Sequence, residues 1–574
     1  MENEKNYLQI LKQYFGYDNF RSIQPDIIRS IGEGHDTLGL MPTGGGKSIT
    51  FQVPALAMEG VCIVISPLIA LMKDQVQHLK ERGVKAEAIY SGLTHTDTQR
   101  ILDNAIFGGV KFLYVSPERL SNKLFLSKLY YMKVCFITVD EAHCISQWGY
   151  DFRPQYLQIC KLRELLKGVP VLALTATATK KVAQDIKDKL GFGLHNDKEP
   201  QTFSMSFRRE NLSYVIRRTE DKFRELMHII CSVEGSVIVY TRNRERTKEI
   251  SQMLSDEGVN STYYHAGLDF IIKERRQDQW QRDEVRVMVA TNAFGMGIDK
   301  PNVRLVVHMD CPDSLEAYFQ EAGRAGRDGK RAYAVLLCND SDVSSLLKRS
   351  KTSFPPKDYI RKVYDHLAYY FELAVDSGEG AQYDFNEADF CRKFKHYPQH
   401  LENALGILQN AGYIDYELEH DNRARVMFAI SRNELYDIHD LSREEETVLN
   451  ALLRRYGTLF TDMTYIDGNS LERYAAMTAE ELHLALKGLA IKRVIRYVPP
   501  KKMPTISYLM HRVDSSRLRI THEVYEDLRE RLAERISRVI QYISDKDTCR
   551  ERMLMEYFGE ESSCDCGHCD VCIG

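Results

Sequence analysis

Over residues 1–345 the chain repeats one pattern. A short apolar run ends in a polar or glycine-bearing turn, and a segment with apolar residues at helical spacing follows. The runs predict strands at Thr37–Met41, Val61–Ser66, Lys111–Val115, Val134–Val139, Val171–Leu174, Val237–Tyr240, Val285–Ala290 and Leu305–His308. This is the alternation of parallel, doubly wound sheets. Eight such units are too many for one small sheet, so two sheets are expected, joined near Lys198–Asn211.

The pattern changes after Leu346. The stretch Lys351-Thr-Ser-Phe-Pro-Pro-Lys357 reads as a linker. Beyond it, Leu401-x-x-Ala404-Leu405-x-x-Leu408 with Ile414-x-Tyr416 recurs 81 residues later as Leu482-x-x-Ala485-Leu486-x-x-Leu489 with Ile495-x-Tyr497. Each copy is an amphipathic helix followed by two strand-like runs around a polar tip, at His420-Asp421-Asn422 and Pro499-Pro500-Lys501-Lys502. An earlier helix precedes each copy, at Tyr359–Phe371 and Arg443–Tyr456. Helices followed by a β-hairpin suggest a winged helix, here twice; the alternative is two unrelated helical hairpins. The segment from Leu518 is helical to about Tyr542 and then cysteine-rich.

Composition adds limits. The 574 residues suit several domains, and 77 Lys and Arg against 81 Asp and Glu give a net charge of −4. A uniformly basic nucleic-acid coat is excluded, so any such contact must be local. Charge separates the two repeats: residues 351–440 carry 10 basic and 16 acidic side chains, residues 441–513 carry 11 and 8. A phosphate backbone favours the second, whose Lys487, Lys492, Arg493, Arg496, Lys501 and Lys502 cluster on and after the second copy's helix. No apolar run predicts a membrane span and no signal core opens the chain. Of 13 cysteines, eight are scattered between Cys62 and Cys391 and read as reduced core thiols, which implies an intracellular compartment.

The chemistry begins at Met41-Pro42-Thr43-Gly44-Gly45-Gly46-Lys47-Ser48, between a strand and a helix. Glycines let the backbone turn tightly and aim N–H groups at phosphate oxygens. Lys47 can reach the β- and γ-phosphates, and Ser48 can ligate Mg²⁺. Pro42 stands where such loops usually carry their first glycine. The strand Val134–Val139 then delivers Asp140-Glu141-Ala142-His143. Asp140 can hold Mg²⁺ and Glu141 can orient or deprotonate the attacking water. Together these two motifs describe nucleotide hydrolysis.

The tail carries Cys549, Cys566, Cys569 and Cys572 at C-x₁₆-C-x₂-C-x₂-C spacing. Four thiolates, three at turn spacing, suit tetrahedral Zn²⁺. Cys564 and His568 lie close enough to compete; neither is expected to bind.

The run Asp140-Glu-Ala-His-Cys144-Ile-Ser-Gln-Trp148-Gly-Tyr150-Asp-Phe152-Arg153-Pro154 resembles the RecQ family of superfamily 2 DNA helicases. Further motifs agree in family order: Phe15-Gly16-Tyr17-x-x-Phe20-Arg21-x-x-Gln24, Ser66-Pro67-Leu68-Ile69-Ala70, Ser116-Pro117-Glu118-Arg119, Thr175-Ala176-Thr177, Tyr264-His265-Ala266-Gly267, Ala290-Thr291 through Pro301, and Gln320-Glu-Ala-Gly323-Arg324-Ala-Gly326-Arg327. The resemblance implies that Tyr17 stacks on adenine, that Gln24 pairs with its hydrogen-bonding edge, and that Arg21 belongs to the same motif. Arg324 and Arg327 would reach the γ-phosphate from the second sheet domain. Trp148, Phe152 and Arg153 would form a loop that senses single-stranded DNA by stacking. Ser66, Arg119, His265 and Thr291 would follow the strand, and the Tyr557-Phe-Gly-Glu560 run with its cysteines resembles the family's zinc module.

The fold class expected is α/β: two tandem RecA-like parallel-sheet domains (1–200 and 201–350), two winged-helix-like repeats (351–440 and 441–513), and a helical zinc module (514–574). The activity implied is that of an ATP- and Mg²⁺-dependent DNA helicase moving 3′ to 5′ in repair or recombination. Single-stranded and partly duplex DNA, and repair or single-strand-binding proteins, are the implied partners. The implied location is the cytoplasm, on the nucleoid in a bacterium. The family places its zinc module directly after the helicase halves, whereas here about 170 residues intervene and no strand-separating wing can be assigned. The rivals are a translocase that does not unwind, an RNA helicase, and a zinc-stabilised DNA-binding scaffold with an inactive nucleotide site.

Overall fold

The computed structural model describes every residue except 1, 43, 91–92, 94, 147, 150–151, 196, 269, 296–299, 418–423, 433, 439, 457–458, 461–462, 467, 500–503 and 562–563. Thr43, Tyr150, Lys501 and Lys502 therefore lie outside the described residues. Two compact units form: Met1–Leu93 with Thr98–Pro356 and Ile520–Gly574, and Lys357–Arg519 with Thr94–Asp97.

The first unit holds both expected parallel sheets. The first runs Ala86–Ile89, Phe112–Val115, Val61–Ile65, Val134–Val139, Val171–Thr175, Thr37–Leu40, Gln201–Ser204. The second runs Ser261–Tyr264, Val287–Ala290, Ser236–Tyr240, Val303–His308, Ala332–Cys338, Leu212–Arg218. All eight expected strands are present; five more complete the sheets. Gln201–Ser204 pairs with Thr37–Leu40, so the first sheet extends four residues past the expected boundary at 200. Under the first sheet, Arg163 and Asp36 form a fully buried pair in which Nη2 donates to both carboxylate oxygens, at 2.9 and 2.8 Å. Asp36 also accepts the amides of Val171 and Gly193, so its remaining lone pairs are satisfied.

The helices Asp340–Thr352 and Glu526–Ser544 pack together, and the Lys357–Arg519 part of the second unit is inserted between them in sequence. Tyr525 closes the stem: its hydroxyl donates to the carbonyls of Pro355 at 2.8 Å and Phe354 at 3.3 Å. One apolar core runs from Tyr214, Trp280, Tyr318 and Phe319 of the second sheet domain into Ile536, Tyr542, Leu554 and Phe558 of the tail. The zinc module, last in sequence, is thus built onto the second sheet domain.

The second unit holds two winged-helix folds; the tips of both expected hairpins lie outside the described residues, and among the described residues the runs flanking each tip do not pair with each other. Ile414–Glu417 pairs with Thr505–Tyr508, and Ala424–Phe428 pairs with Ile495–Val498. The two runs flanking each polar tip therefore belong to different sheets. The first fold reads Lys357–Tyr370, Gln382–Asp384, Glu387–Phe394, Pro398–Asn410, Ile414–Glu417 and Thr505–Tyr508, alternating helix, strand, helix, helix, strand, strand. The second, with helices Arg443–Arg455, Gly468–Ala475 and Ala479–Ile491, is nested between the last two strands of the first, and its third strand, Ala424–Phe428, precedes its helices. The tandem boundary expected at 440/441 is replaced by this nesting. Helical and alternating periodicity identify strands; they do not name their partners.

Candidate nucleotide, DNA and zinc sites

The phosphate loop links the strand Thr37–Leu40 to the helix Lys47–Ala57. Gly44 and Gly46 hold φ of 83° and 77°, a region that costs a side chain-bearing residue strain. A Cβ on Gly46 would also collide with the Gln24 amide. Gln24, buried, accepts the Arg21 amide at 2.8 Å and donates to the carbonyls of Gly45 and Gly46 at 3.3 and 3.1 Å. The expected adenine residue is therefore tied to the phosphate loop itself. Tyr17 is half exposed with the Arg21 guanidinium 5.8 Å from its ring centre, leaving area for stacking.

Lys47 Nζ lies 3.7 Å from Glu141 Oε1, and Ser48 follows it in the first helical turn. Glu141 has φ 47°, strained for a non-glycine residue, and its second oxygen is 3.4 Å from His143 Nδ1. His143 Nδ1 in turn meets Thr175 Oγ1 at 2.9 Å, joining two of the expected motifs. Burial, then the neighbouring Glu141 carboxylate, push Asp140 up to about 6. Two enclosed carboxyls repelling one another are a donor set that a divalent cation relieves, so the chemistry at Asp140 suits one.

Arg327 comes from the second sheet domain and stands over the phosphate loop: a Cβ on Gly44 would lie 3.3 Å from its Cγ. Arg324 does not join it. It is buried and donates to the Gly295 carbonyl, bracing the loop that follows Ala290.

The expected DNA residues are unevenly presented. Ser66 and Thr291 are buried. Arg119 donates to the Tyr90 carbonyl at 3.0 Å, and Arg153 to the Pro67 carbonyl at 3.2 Å. His265 stacks on Tyr263, and burial followed by Arg244, Arg276 and Lys273 hold its pKa below the ordinary histidine value. These three cations, missed in the sequence, make a phosphate-attracting patch; on paper they resemble any solvated helix face. Phe152 is half-buried. Trp148 sits between Lys181 and Arg531, and Gly149 is fixed because a Cβ there would strike the His143 carbonyl. In the second winged helix, Lys492 is spent on Glu445 at 2.8 Å, while Lys487 and Arg496 are exposed.

In the tail, the Sγ atoms of Cys549, Cys566, Cys569 and Cys572 lie within 4.8 Å of one another; Cys566–Cys572 and Cys549–Cys569 are 3.9 Å apart and Cys569–Cys572 3.4 Å. Zn–S bonds of about 2.3 Å in a tetrahedron require sulfurs about 3.8 Å apart, so the cluster fits zinc. Amides of Cys566, His568 and Cys569 point at the sulfurs at 3.2 to 3.4 Å. His568 Nδ1 instead faces Ser213 Oγ, and Cys564 is exposed outside the cluster. The Tyr557–Glu560 run docks the module: Tyr557 donates to Glu316 at 2.8 Å, and Glu560 accepts Ser206 Oγ and the Phe207 amide at 2.8 and 2.7 Å. No helix among the described residues is long and apolar enough to cross a membrane.

Residues 21–186 match the DEAD/DEAH box helicase family and 221–329 the helicase conserved C-terminal domain. The ATP-dependent DNA helicase RecQ of Haemophilus influenzae is 44% identical over 395 residues, 67% of this chain and 63% of that one. Its Bacillus subtilis namesake is 42% identical over 366 residues, 63% and 61% of the two chains. The chain therefore spans less than two thirds of these relatives' length. The DUF1998 helicase MrfA, solved with DNA and AMPPNP, shares the fold at TM-score 0.50 and 17% identity, over 64% of this chain and 52% of that one. Helicase halves alone are common to many families. Here residues 426–499, the nested domain, match the RecQ helicase winged-helix domain of Bacteroidota, and 506–573 match the RecQ zinc-binding family. With those two added to the halves, the chain belongs to the RecQ family.

Proposed function

We propose that the chain is an ATP- and Mg²⁺-dependent DNA helicase that translocates 3′ to 5′ on single-stranded DNA and separates duplex ahead of it, in repair or recombination. The observation that carries this reading is Arg327 poised over Gly44, one domain's arginine on the other's phosphate loop. ATP between them bridges the two sheets, so hydrolysis alters how the domains hold each other and what they hold. Lys47 binds phosphate oxygens, Glu141 orients the attacking water, and Arg327 stabilises charge developing on the γ-phosphate. When bound, Mg²⁺ supplies charge neutralisation at the phosphates, with Ser48 and Asp140 as its protein donors. Glu141 and Trp148 are seven residues apart through the turn Ala142–Ile145, a short path from DNA to chemistry. Exposed Lys487 and Arg496 support an accessory duplex contact on the nested winged helix.

The test pairs ATP hydrolysis, with and without single-stranded DNA, with strand displacement from 3′-tailed and 5′-tailed duplexes. DNA-stimulated hydrolysis and displacement of the 3′-tailed substrate alone are expected. Hydrolysis without displacement would favour a translocase.

A further inference from the structure

We infer that Arg531 and Arg535, on the first helix of the zinc module, are positioning residues for the aromatic loop. They hold Trp148 in a resting state that single-stranded DNA must undo. The inference rests on the helicase reading above and adds the device that sets its response to DNA.

Lys181 Nζ lies 2.9 Å from the Trp148 ring centre and the Arg531 guanidinium carbon 3.8 Å from it. Both cations lie over the indole, where a base would otherwise stack. Arg535 Nη2 donates to the carbonyls of Trp148 at 2.8 Å and Gly149 at 2.6 Å, fastening the backbone of the same turn. Arg531 is itself buried and steadied by Asp527 at 3.7 Å. Trp148 packs on the edge of the first domain's core and also lines a cavity of about 340 Å³ shared with Arg535, Arg538, Gln541 and Tyr557, so the ring has room to move on one side.

Single-stranded DNA can replace both halves of this arrangement. Its phosphates are partners for Arg531, Arg535 and Lys181, and its bases are partners for the indole face. The exchange keeps the three cations paired and frees the Trp148 and Gly149 carbonyls to solvent, so the latch opens to DNA and stays shut without it. Glu141 lies seven residues upstream of Trp148, so release is felt at the hydrolytic site. The zinc module thereby sets how much DNA is needed to start hydrolysis.

Trp148 and Trp280 are the two tryptophans in the chain, and Trp280 is fully buried. Acrylamide quenching of the full-length, zinc-loaded protein without DNA or nucleotide therefore reads Trp148. The Arg531→Ala and Arg535→Ala variants are each expected to raise the quenching constant about twofold. Half-maximal ATPase stimulation by oligo-dT should come at roughly fivefold less DNA, as expected when charge-assisted bonds are removed from the resting state alone. Zinc content and unchanged Trp280 emission check the fold, and Arg535→Gln, which keeps a donor, should fall between the two. Quenching equal to the unmutated protein would overturn the latch. So would loss of stimulation in both variants, because the arginines would then support the engaged loop. The DNA-free measurement stands even where no helicase activity is found, so the two readings fail separately.

Discussion

Replacing Phe558 with Ala tests whether the zinc module is an appendage or part of the helicase core. The Phe558 ring is 3% exposed and lies 4.9 Å from both Phe207 and Phe319. Phe207 sits on the segment joining the two sheets, and Phe319 on the helix Leu315–Ala322 of the second. Removing a buried phenyl ring costs about 3–5 kcal/mol through lost transfer energy and the cavity left behind. A domain is typically stable by about 5–15 kcal/mol, so the loss is about a fifth or more of the whole. With a denaturant slope of about 2 kcal/mol/M, the urea midpoint should fall by roughly 1.5–2.5 M.

Two probes report on the two regions. Zinc release, read with a chromogenic chelator, follows the tail. Trp280 emission, in a Trp148→Phe background, follows the second sheet domain, because Trp280 belongs to the same apolar core as Phe558. The shared core predicts that both transitions move together. A zinc-release midpoint that falls while the Trp280 transition stays within about 0.2 M would refute the single core.

Glu141→Gln should abolish hydrolysis while ATP binding persists, and Lys47→Ala should weaken both; near-normal turnover in Glu141→Gln would remove that residue from the catalytic role. Elemental analysis should return one zinc per chain, and Cys569→Ser should lower soluble yield before it changes ATPase chemistry; a zinc-free, fully folded protein would contradict the structural role. His396, between the Tyr359 hydroxyl and His366 Nδ1 at 2.9 Å each, is pushed down to about 4 by burial, then by His366 and Lys362. The unfolded chain then takes up the proton more readily between about pH 6.5 and 4. Stability should fall as pH drops through that window, by up to about 3 kcal/mol, and His396→Gln should flatten the slope; equal slopes in the two proteins would exclude it.

What was legible in the sequence was chemistry that demands fixed residue types at short spacing. Gly46-Lys47-Ser48, Asp140-Glu141 and the triplet Cys566, Cys569 and Cys572 each assemble within one or two turns or at one strand end, so spacing placed them together; Cys549 joins its triplet across one short helix. The apolar strands of both sheets were legible for the same reason. The strands that escaped notice include Ala86–Ile89, two of whose four residues are alanine, and the polar Gln201–Ser204 and Ser261–Tyr264, whose pairing comes from the neighbouring strand rather than from their own apolar content. Long-range pairings were not legible. Arg324 and Arg327 share one glycine-rich run, yet one braces Gly295 and the other reaches the phosphate loop. Arg531 and Arg535 read as a solvated helical charge row, and only the fold brings Trp148 to them.

The displaced position of the zinc module in the chain has a simple topological cause. A pair of packed helices requires only that the ends of its connection lie close together. Pro355 and Tyr525 meet that condition, and the connection between them can hold a whole domain pair as readily as a loop. The closure cost grows only with the logarithm of the connection's length. The same rule acts again inside the insertion, where one winged helix interrupts the last two strands of another. In both cases the host keeps its strands, helices and core, because neither the sheet nor the helix pair needs its members to be consecutive. Order along the chain therefore says little about which parts of the family's machinery are retained. The docking contacts of Tyr557, Phe558 and Glu560 say more: they place the zinc module on the second sheet domain and on the segment joining the two sheets.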